Sequence, residues 1–347
     1  MKRSTIRDVA ERAQVSTATV SFVLNNNPNE AISDKVKKRV LEAAAALSYH
    51  PSATAAGLKR KHTHNVGLIF YKEDDAIANQ FYSYVVQGAV KEAVERDYNL
   101  LFSFMGSSYT GFNDLPKVIR ERNVEGVLFI RQTLPKMIRD LQAFGLPIVA
   151  IDNTPRIKGI DSLQIDNRLG AGLAAAHLVE LGHRRLAFLG PVEAPPSVEE
   201  RAEGFTERAT SFGAPKPQLI SAAEFGFDAA YAATLKALKK TKGKALPTAI
   251  FCANDLMAAG ALRAAREAEL HVPRELSVIG FDDIAMSRYT DPPLTTIGVV
   301  KEHLGRRAMG LLIERIQGSQ GLTAKAYAEL APVSLVLRSS TAPPSAR

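Results

Sequence analysis

The chain has 347 residues, enough for two or three domains, and its 46% hydrophobic content is that of an ordinary globular protein, with no apolar run of membrane-spanning length. Charged Arg7, Asp8, Glu11 and Arg12 interrupt any signal-peptide core, and the single cysteine, Cys252, excludes an internal disulfide framework and fits the cytoplasm. The net charge of +8 is uneven: residues 1–64 hold 11 Lys and Arg against 5 Asp and Glu, whereas the other 283 hold 33 against 31, so the positive field sits at the front, where it would meet phosphates.

Residues 5–25 read TIRDVAERAQVSTATVSFVLN and predict two short helices around a tight turn. Thr5 and Asp8 have the spacing of a capping box, and Ile6, Val9, Ala10 and Ala13 give the first helix one apolar face. Gln14 and Val15 form the turn, and Ser16 caps a second helix with Val20, Val23 and Leu24 inward. Thr17, Ala18, Ser21 and Phe22 then point outward, a set suited to base edges in a DNA major groove. A third helix starts at Ser33, with an inner stripe of Val36, Val40, Ala44 and Leu47 and with Lys35, Lys37, Lys38 and Arg39 around its start. Residues 51–64 follow as a basic hinge. Pro51 and Ser52 open a helix too short to stand alone in water, and Gly57 weakens it, so it is expected to form on DNA with Leu58 as a minor-groove wedge. His62 and His64 lack carboxylate or thiol partners nearby in sequence, which argues against a metal site.

From residue 65 short apolar runs alternate with helical stretches. The runs are at 66–70, 99–104, 126–130, 147–151, the short SLQI, 185–190, 218–221, 249–253 and 277–281. That alternation predicts parallel sheets wrapped by helices, enough for two sheets of about five strands, with Val66 and Leu186 opening two similar halves. Ligands of open α/β sheets sit beyond the carboxyl ends of the strands. The residues found there are Tyr71, Arg131, Asp152, Asn254, Asp255, Asp282 and Asp283. A carboxylate-rich cleft with a few aromatics suits a polyhydroxylated ligand, although strand-end Asp and Asn also serve as helix caps. The glycine-containing run at 170–175 lies within a helical pattern, not on a strand-to-helix turn, so it is read as packing and no cofactor is expected. No nucleophile or metal motif accompanies the carboxylates, which argues against an enzyme.

Residues 5–70 resemble the DNA-binding head and hinge of the LacI/GalR family of bacterial transcription regulators, through TIRDVA, VSTATVSFVLN, ALSYHPS and Leu58 before a basic cluster. The resemblance runs to about residue 339. Gln14 stands where the family usually has Gly or Asn, and Ala56 and Gly57 replace a common Arg-Ser pair. The resemblance implies an all-α helix-turn-helix head, residues 1–50, and an α/β two-lobed effector domain of the periplasmic-binding-protein type (type I), residues 65–339. Within that domain it implies an N-subdomain of about 65–164 and 294–326, a C-subdomain of about 165–293 and 327–339, and a disordered tail at 340–347. It further implies base readout by Thr17, Ala18, Ser21 and Phe22, and phosphate contacts from Ser16, Thr19, Lys59 and Arg60. The implied effector set is Phe81, Tyr82, Arg131, Asp152, Asp166, Arg201, Phe225, Asn254 and Asp282. The expected protein is a homodimeric, cytoplasmic repressor on a near-palindromic double-stranded operator, answering to a small effector such as a sugar. A purine-type corepressor is the alternative effector; a solute-binding protein, which would carry a signal peptide and lack the basic head, is the weaker alternative.

Overall fold

The computed structural model describes residues 4–24, 32–49, 62–71, 79–106, 108–131, 134–152, 159–240, 246–318 and 326–345. The chain divides into two compact units, Met1–Thr63 and His64–Arg347.

The first unit contains three described helices, α1 (Ile6–Ala13), α2 (Thr17–Leu24) and α3 (Asp34–Ala46). The capping box at the start of α1 is formed: the Asp8 carboxylate accepts from the Thr5 amide at 2.6 Å, and the Asp8 amide donates to the Thr5 hydroxyl at 3.4 Å. The Thr19 amide donates to the Ser16 hydroxyl at 3.1 Å, which caps α2. Between them Gln14 adopts a left-handed backbone, φ 52° and ψ 51°, the conformation that favours Gly or Asn. Val9, Ala10, Ala13, Val20, Val40, Ala43 and Ala44 make the shared core. Ser33 stands at the start of α3 but makes no side-chain cap.

The second unit holds two six-stranded sheets among the described residues. The first has the order β11-β5-β4-β3-β1-β2, with β1 (Asn65–Tyr71), β2 (Asn99–Met105), β3 (Gly126–Ile130), β4 (Ile148–Ile151), β5 (Asp161–Ile165) and β11 (Ala328–Ala331) all parallel. The second has the order β12-β10-β9-β8-β6-β7, with β6 (Leu186–Pro191), β7 (Gln218–Ala222), β8 (Ala249–Cys252), β9 (Ser277–Asp282), β10 (Thr295–Val299) and an antiparallel edge strand β12 (Val333–Val336). Strands β3, β4, β6 and β8 are buried along their whole length, as strands covered on both faces must be.

Helices α4 (Gln80–Glu95), α5 (Pro135–Ala143) and α6 (Lys301–Ile316) serve the first sheet, with α6 packed along α4. There the backbones of Gly88 and Gly305 touch the facing helix, leaving no room for a Cβ at either. Helices Asn167–Glu180, Pro196–Ser211, Phe227–Lys240 and Asp255–Glu267 serve the second sheet. The chain therefore passes between the lobes three times, near Asp166, Val300 and Pro332.

Two expectations are corrected. Residues 295–299 belong to the second sheet, because β10 pairs in parallel with β9, and 328–331 belong to the first, because β11 extends β5. The subdomain boundaries at 294–326 and 327–339 therefore move. Residues 340–345 are not a loose tail. Ser340 is buried, its hydroxyl donating to the Val278 carbonyl at 2.6 Å and accepting from the Thr295 amide at 2.8 Å. His183, itself between the Thr248 and Ser277 hydroxyls at 2.8 and 3.1 Å, lies 2.9 Å from the Ala342 carbonyl. A polar composition suggested disorder, but its hydroxyls and carbonyls complete the ends of β9 and β10.

Candidate functional site

On the first unit, α2 exposes Thr17 and Ala18, with Ser21 and Phe22 half-buried beside them. The hydroxyls of Ser16 and Thr19 lie 2.9 Å apart at the start of this helix, so both expected phosphate contacts sit where the helix amides also point outward. Leu58, Lys59 and Arg60 lie outside the described residues. Among the described residues no group of three His, Cys, Asp or Glu could hold a metal ion.

On the second unit, the carboxyl ends of both sheets bring polar side chains together. Backbone geometry aims them: Arg131 after β3, Asp152 after β4, and Asp282 and Asp283 at the end of β9 have φ of 68°, 51°, 108° and 50°. Left-handed conformations are costly for such residues and persist where surrounding structure imposes them.

In the first lobe the Tyr82 hydroxyl donates to Asp152 Oδ2 at 2.6 Å, and the Arg131 guanidinium lies 5.7 Å from the Tyr82 ring centre. Asp152 Oδ1 is buried with no hydrogen-bond partner among the described residues. Burial pushes the Asp152 carboxyl above its ordinary range, while the Tyr82 hydrogen bond and the charges of Arg201 and Arg131 pull it back. Burial, and then Asp152, hold the Tyr82 phenol well above its usual value.

In the second lobe Arg201 is the hub. Its Nε donates to Asn167 Oδ1 at 2.8 Å, one terminal nitrogen donates to the Ala253 carbonyl at 2.5 Å, and the other lies 3.8 Å from Asp282. The guanidinium stacks 3.6 Å from the centre of the Phe281 ring. Asn167 in turn donates to Glu200 at 3.0 Å. Burial pushes the Asp282 carboxyl up to about 6, against the pull of Arg201 and Lys301. The charges of Arg201 and Asp152 act across the gap between lobes, so the two strand-end sets face one cleft. An acceptor-rich cleft with fixed cations can bind a neutral polar ligand through several directed hydrogen bonds.

The expected residues fare differently. Tyr82, Arg131, Asp152, Arg201 and Asp282 come together. Phe81 packs edge-on against Tyr82 and both rings are buried in the same core, but only Tyr82 reaches the strand-end set, through its hydroxyl on Asp152. Asp166 caps the following helix, accepting from the Leu169 amide at 3.0 Å, and its neighbour Asn167 is the residue that meets Arg201. Asn254 likewise caps a helix through the Met257 amide at 2.9 Å. Phe225 is exposed on the turn after β7 and makes no ring contact among the described residues. Asn167, Glu200, Phe281 and Lys301 were missed. The IDN sequence placed Asn167 one residue from the expected ligand, whereas nothing local marked the others.

Comparison with known proteins agrees with this arrangement. Residues 5–52 match the family described as bacterial regulatory proteins, lacI family, and residues 175–341 match a periplasmic binding protein-like domain. The chain is 34% identical over 319 residues to the ribose operon repressor of Escherichia coli (strain K12), covering 90% of this chain and 93% of that protein. It is 31% identical over 320 residues to the transcriptional repressor PurR of Vibrio cholerae serotype O1 (strain M66-2), covering 91% and 93%. A lac repressor dimer bound to operator and the anti-inducer ONPF superposes with a TM-score of 0.84 at 28% identity, covering 98% of this chain and all of that one. A LacI family regulator from Enterococcus faecium with bound ribose superposes with a TM-score of 0.69 at 26% identity, covering 80% and 99%. With a DNA-reading head in front of a two-lobed ligand domain, and relatives matching along nearly its whole length, the chain belongs to the LacI family of bacterial regulatory proteins and is a DNA-binding transcriptional regulator, not an enzyme.

Proposed function

We propose that this protein is a homodimeric repressor whose operator affinity is set by a sugar held between the lobes, with pentoses such as ribose as the first class to test. The observation that carries the sugar reading is Asp152 Oδ1, a buried acceptor without a partner among the described residues, close enough to Arg201 and Asp282 to feel their charges. A ligand hydroxyl satisfies that oxygen, and other hydroxyls find Asp282 and Arg131 nearby. The ribose operon repressor of Escherichia coli and the ribose-bound Enterococcus regulator support the same ligand class. The PurR relatives support a purine as the second reading.

In this reading α2 enters the major groove with Thr17, Ala18, Ser21 and Phe22 toward the bases, Phe22 making an apolar contact such as one to a thymine methyl. Leu58 wedges the central step, and Ser16, Thr19, Lys59 and Arg60 hold phosphates, so affinity falls steeply with salt. A two-fold dimer requires a near-palindromic operator. The exposed Phe102 and Phe104 on edge strand β2 and the exposed Val90 and Val94 on α4 are an apolar surface suited to a second copy. Among the described residues no helix is long and apolar enough to cross a membrane, and a DNA-binding repressor acts in the cytoplasm.

The test is a thermal-shift and operator-release series with ribose, other pentoses, hexoses and purine bases. A pentose that raises the melting temperature and changes operator affinity supports the first reading. A response to purine bases alone replaces it with the second.

A further inference from the structure

β9 ends on two consecutive left-handed residues, Asp282 and Asp283, at φ 108° and 50°. Four side chains clamp this turn. The Asp283 carboxylate is held by Arg338 at 2.5 Å and by the Ser287 hydroxyl at 3.1 Å. The next amide, that of Ile284, donates to buried Asp255 at 2.8 Å. The carbonyls of Asp282, Asp283 and Val299 converge on the Lys301 ammonium at 2.5, 2.9 and 3.2 Å. An ammonium has three protons, and here each has a carbonyl. The Asp282 carboxylate is left facing Arg201.

Lys301 stands where the chain crosses between lobes. It is the first residue of α6, which packs along α4 in the first lobe, yet its side chain holds the strand end of the second. It also lies 6.0 Å from the centre of the Tyr84 ring, two residues beyond Tyr82 on α4.

Titratable groups from five elements face Asp282: Arg201 on the helix Pro196–Ser211, Lys301 on α6, Asp152 after β4, Tyr82 on α4 and Asp255 at the start of the helix Asp255–Glu267. Burial raises its carboxyl, Asp152 raises it further, and Arg201 and then Lys301 oppose this. Lys301 itself is held below its ordinary value by burial and by Arg288, against Asp282, Asp283 and Asp255.

We infer that Lys301 is a positioning residue of the effector site: it fixes the strained turn that points Asp282 at Arg201, and its charge keeps Asp282 ionised for the incoming ligand. This rests on the effector reading above. It makes effector affinity pH-dependent, rising as Asp282 loses its proton near pH 6.

The experiment follows the Asp282 carboxyl by 13C NMR in full-length protein labelled at aspartate, assigned with Asp282→Asn, alongside ribose titrations across pH. In wild type the resonance titrates near pH 6. In Lys301→Met the midpoint rises by about one unit, and ribose binds about twofold more weakly at pH 7, while effector-free operator affinity and salt dependence are unchanged. Lys301→Arg keeps the charge and returns the midpoint toward the wild-type value. An unmoved Asp282 midpoint in Lys301→Met overturns the inference, as does a lowered melting temperature in both variants with no change in titration. Wild-type protein that binds no sugar overturns the effector reading instead, and the carboxyl titration still decides the role of Lys301.

Discussion

On the second lobe, Arg201 is held by Asn167, by the Ala253 carbonyl and by Asp282, with its flat face on Phe281. On the first lobe, Asp152 is anchored through one oxygen by Tyr82 while the other has no partner among the described residues. Both lobes aim their acids with left-handed strand ends, but the Arg201 hub is already engaged without a ligand, whereas Asp152 keeps one buried oxygen without a partner among the described residues. The lobe that holds the engaged hub is pre-organised and sets the pose. The unsatisfied lobe gains a hydrogen bond only when a ligand joins it, and that gain is differential affinity for the liganded state, the quantity that shifts a population.

The largest expected effect tests whether the first lobe is nonetheless rigid behind its open acceptor. Arg315 at the end of α6 makes two parallel hydrogen bonds to Asp161 at 2.7 and 2.8 Å, both residues being buried, and Asp161 also accepts from the Tyr327 amide. Arg315→Met leaves an uncompensated buried carboxylate and should cost about 3–5 kcal/mol in denaturant unfolding. Effector affinity per folded molecule should not change; if it does, the clamp and the cleft are not separate.

Next in size, Arg201→Ala removes the hub of the pre-organised lobe. Effector binding should weaken by about 100-fold, or about 2.7 kcal/mol, with operator binding retained. A normal response in a reporter assay would place the ligand elsewhere.

Asp152→Asn separates the lobes by sign. Burial raises the Asp152 carboxyl in the folded protein. A raised carboxyl contributes stability at low pH that is lost as pH rises above its unfolded value. The Asn variant should therefore be the more stable at pH 7, with the difference fading below about pH 4. Effector affinity should still fall, which separates a cost to folding from a gain to binding. A variant less stable than wild type at neutral pH would contradict this account.

The smallest effect comes from the head. Gln14 shares the left-handed backbone of Asp152, φ 52° against 51°, but aims nothing at a ligand. Gln14→Gly should stabilise the head by about 0.5–1 kcal/mol, read by hydrogen exchange of α1 and α2 amides in the full chain. A loss of protection would show that the glutamine side chain contributes more than its backbone costs.

Much of this was legible in the residues because the signals were local. Thr5, Asp8 and Ser16 are caps at fixed offsets, and runs such as GVLFI and AIFC are apolar throughout because both faces are covered. Strands β10, β11 and β12 were not foreseen. TTIGV, AELA and VSLV are short or polar, and they are strands because a neighbouring edge accepts them. The same distinction divides the site. Asp152, Arg131 and Asp282 followed from where strands end. Asn167 rather than Asp166, and Lys301 beneath Asp282, depend on which side chain the tertiary packing turns toward Arg201 or toward a carbonyl. The polar residues 340–345 were misread for the same reason, since their partners are contributed by β9, β10 and His183.

The three passages of the chain between lobes bear on how the protein is made. Neither lobe is a continuous stretch of polypeptide. The first sheet lacks its β11 edge, and α4 lacks its companion α6, until residues 301–331 have emerged from the ribosome. Until then the β5 edge and the flank of α4 are open to other chains, the exposure that invites aggregation during synthesis. Expression of either lobe alone would therefore need pieces joined from distant parts of the gene, and a simple truncation at the midpoint would leave both halves unfinished.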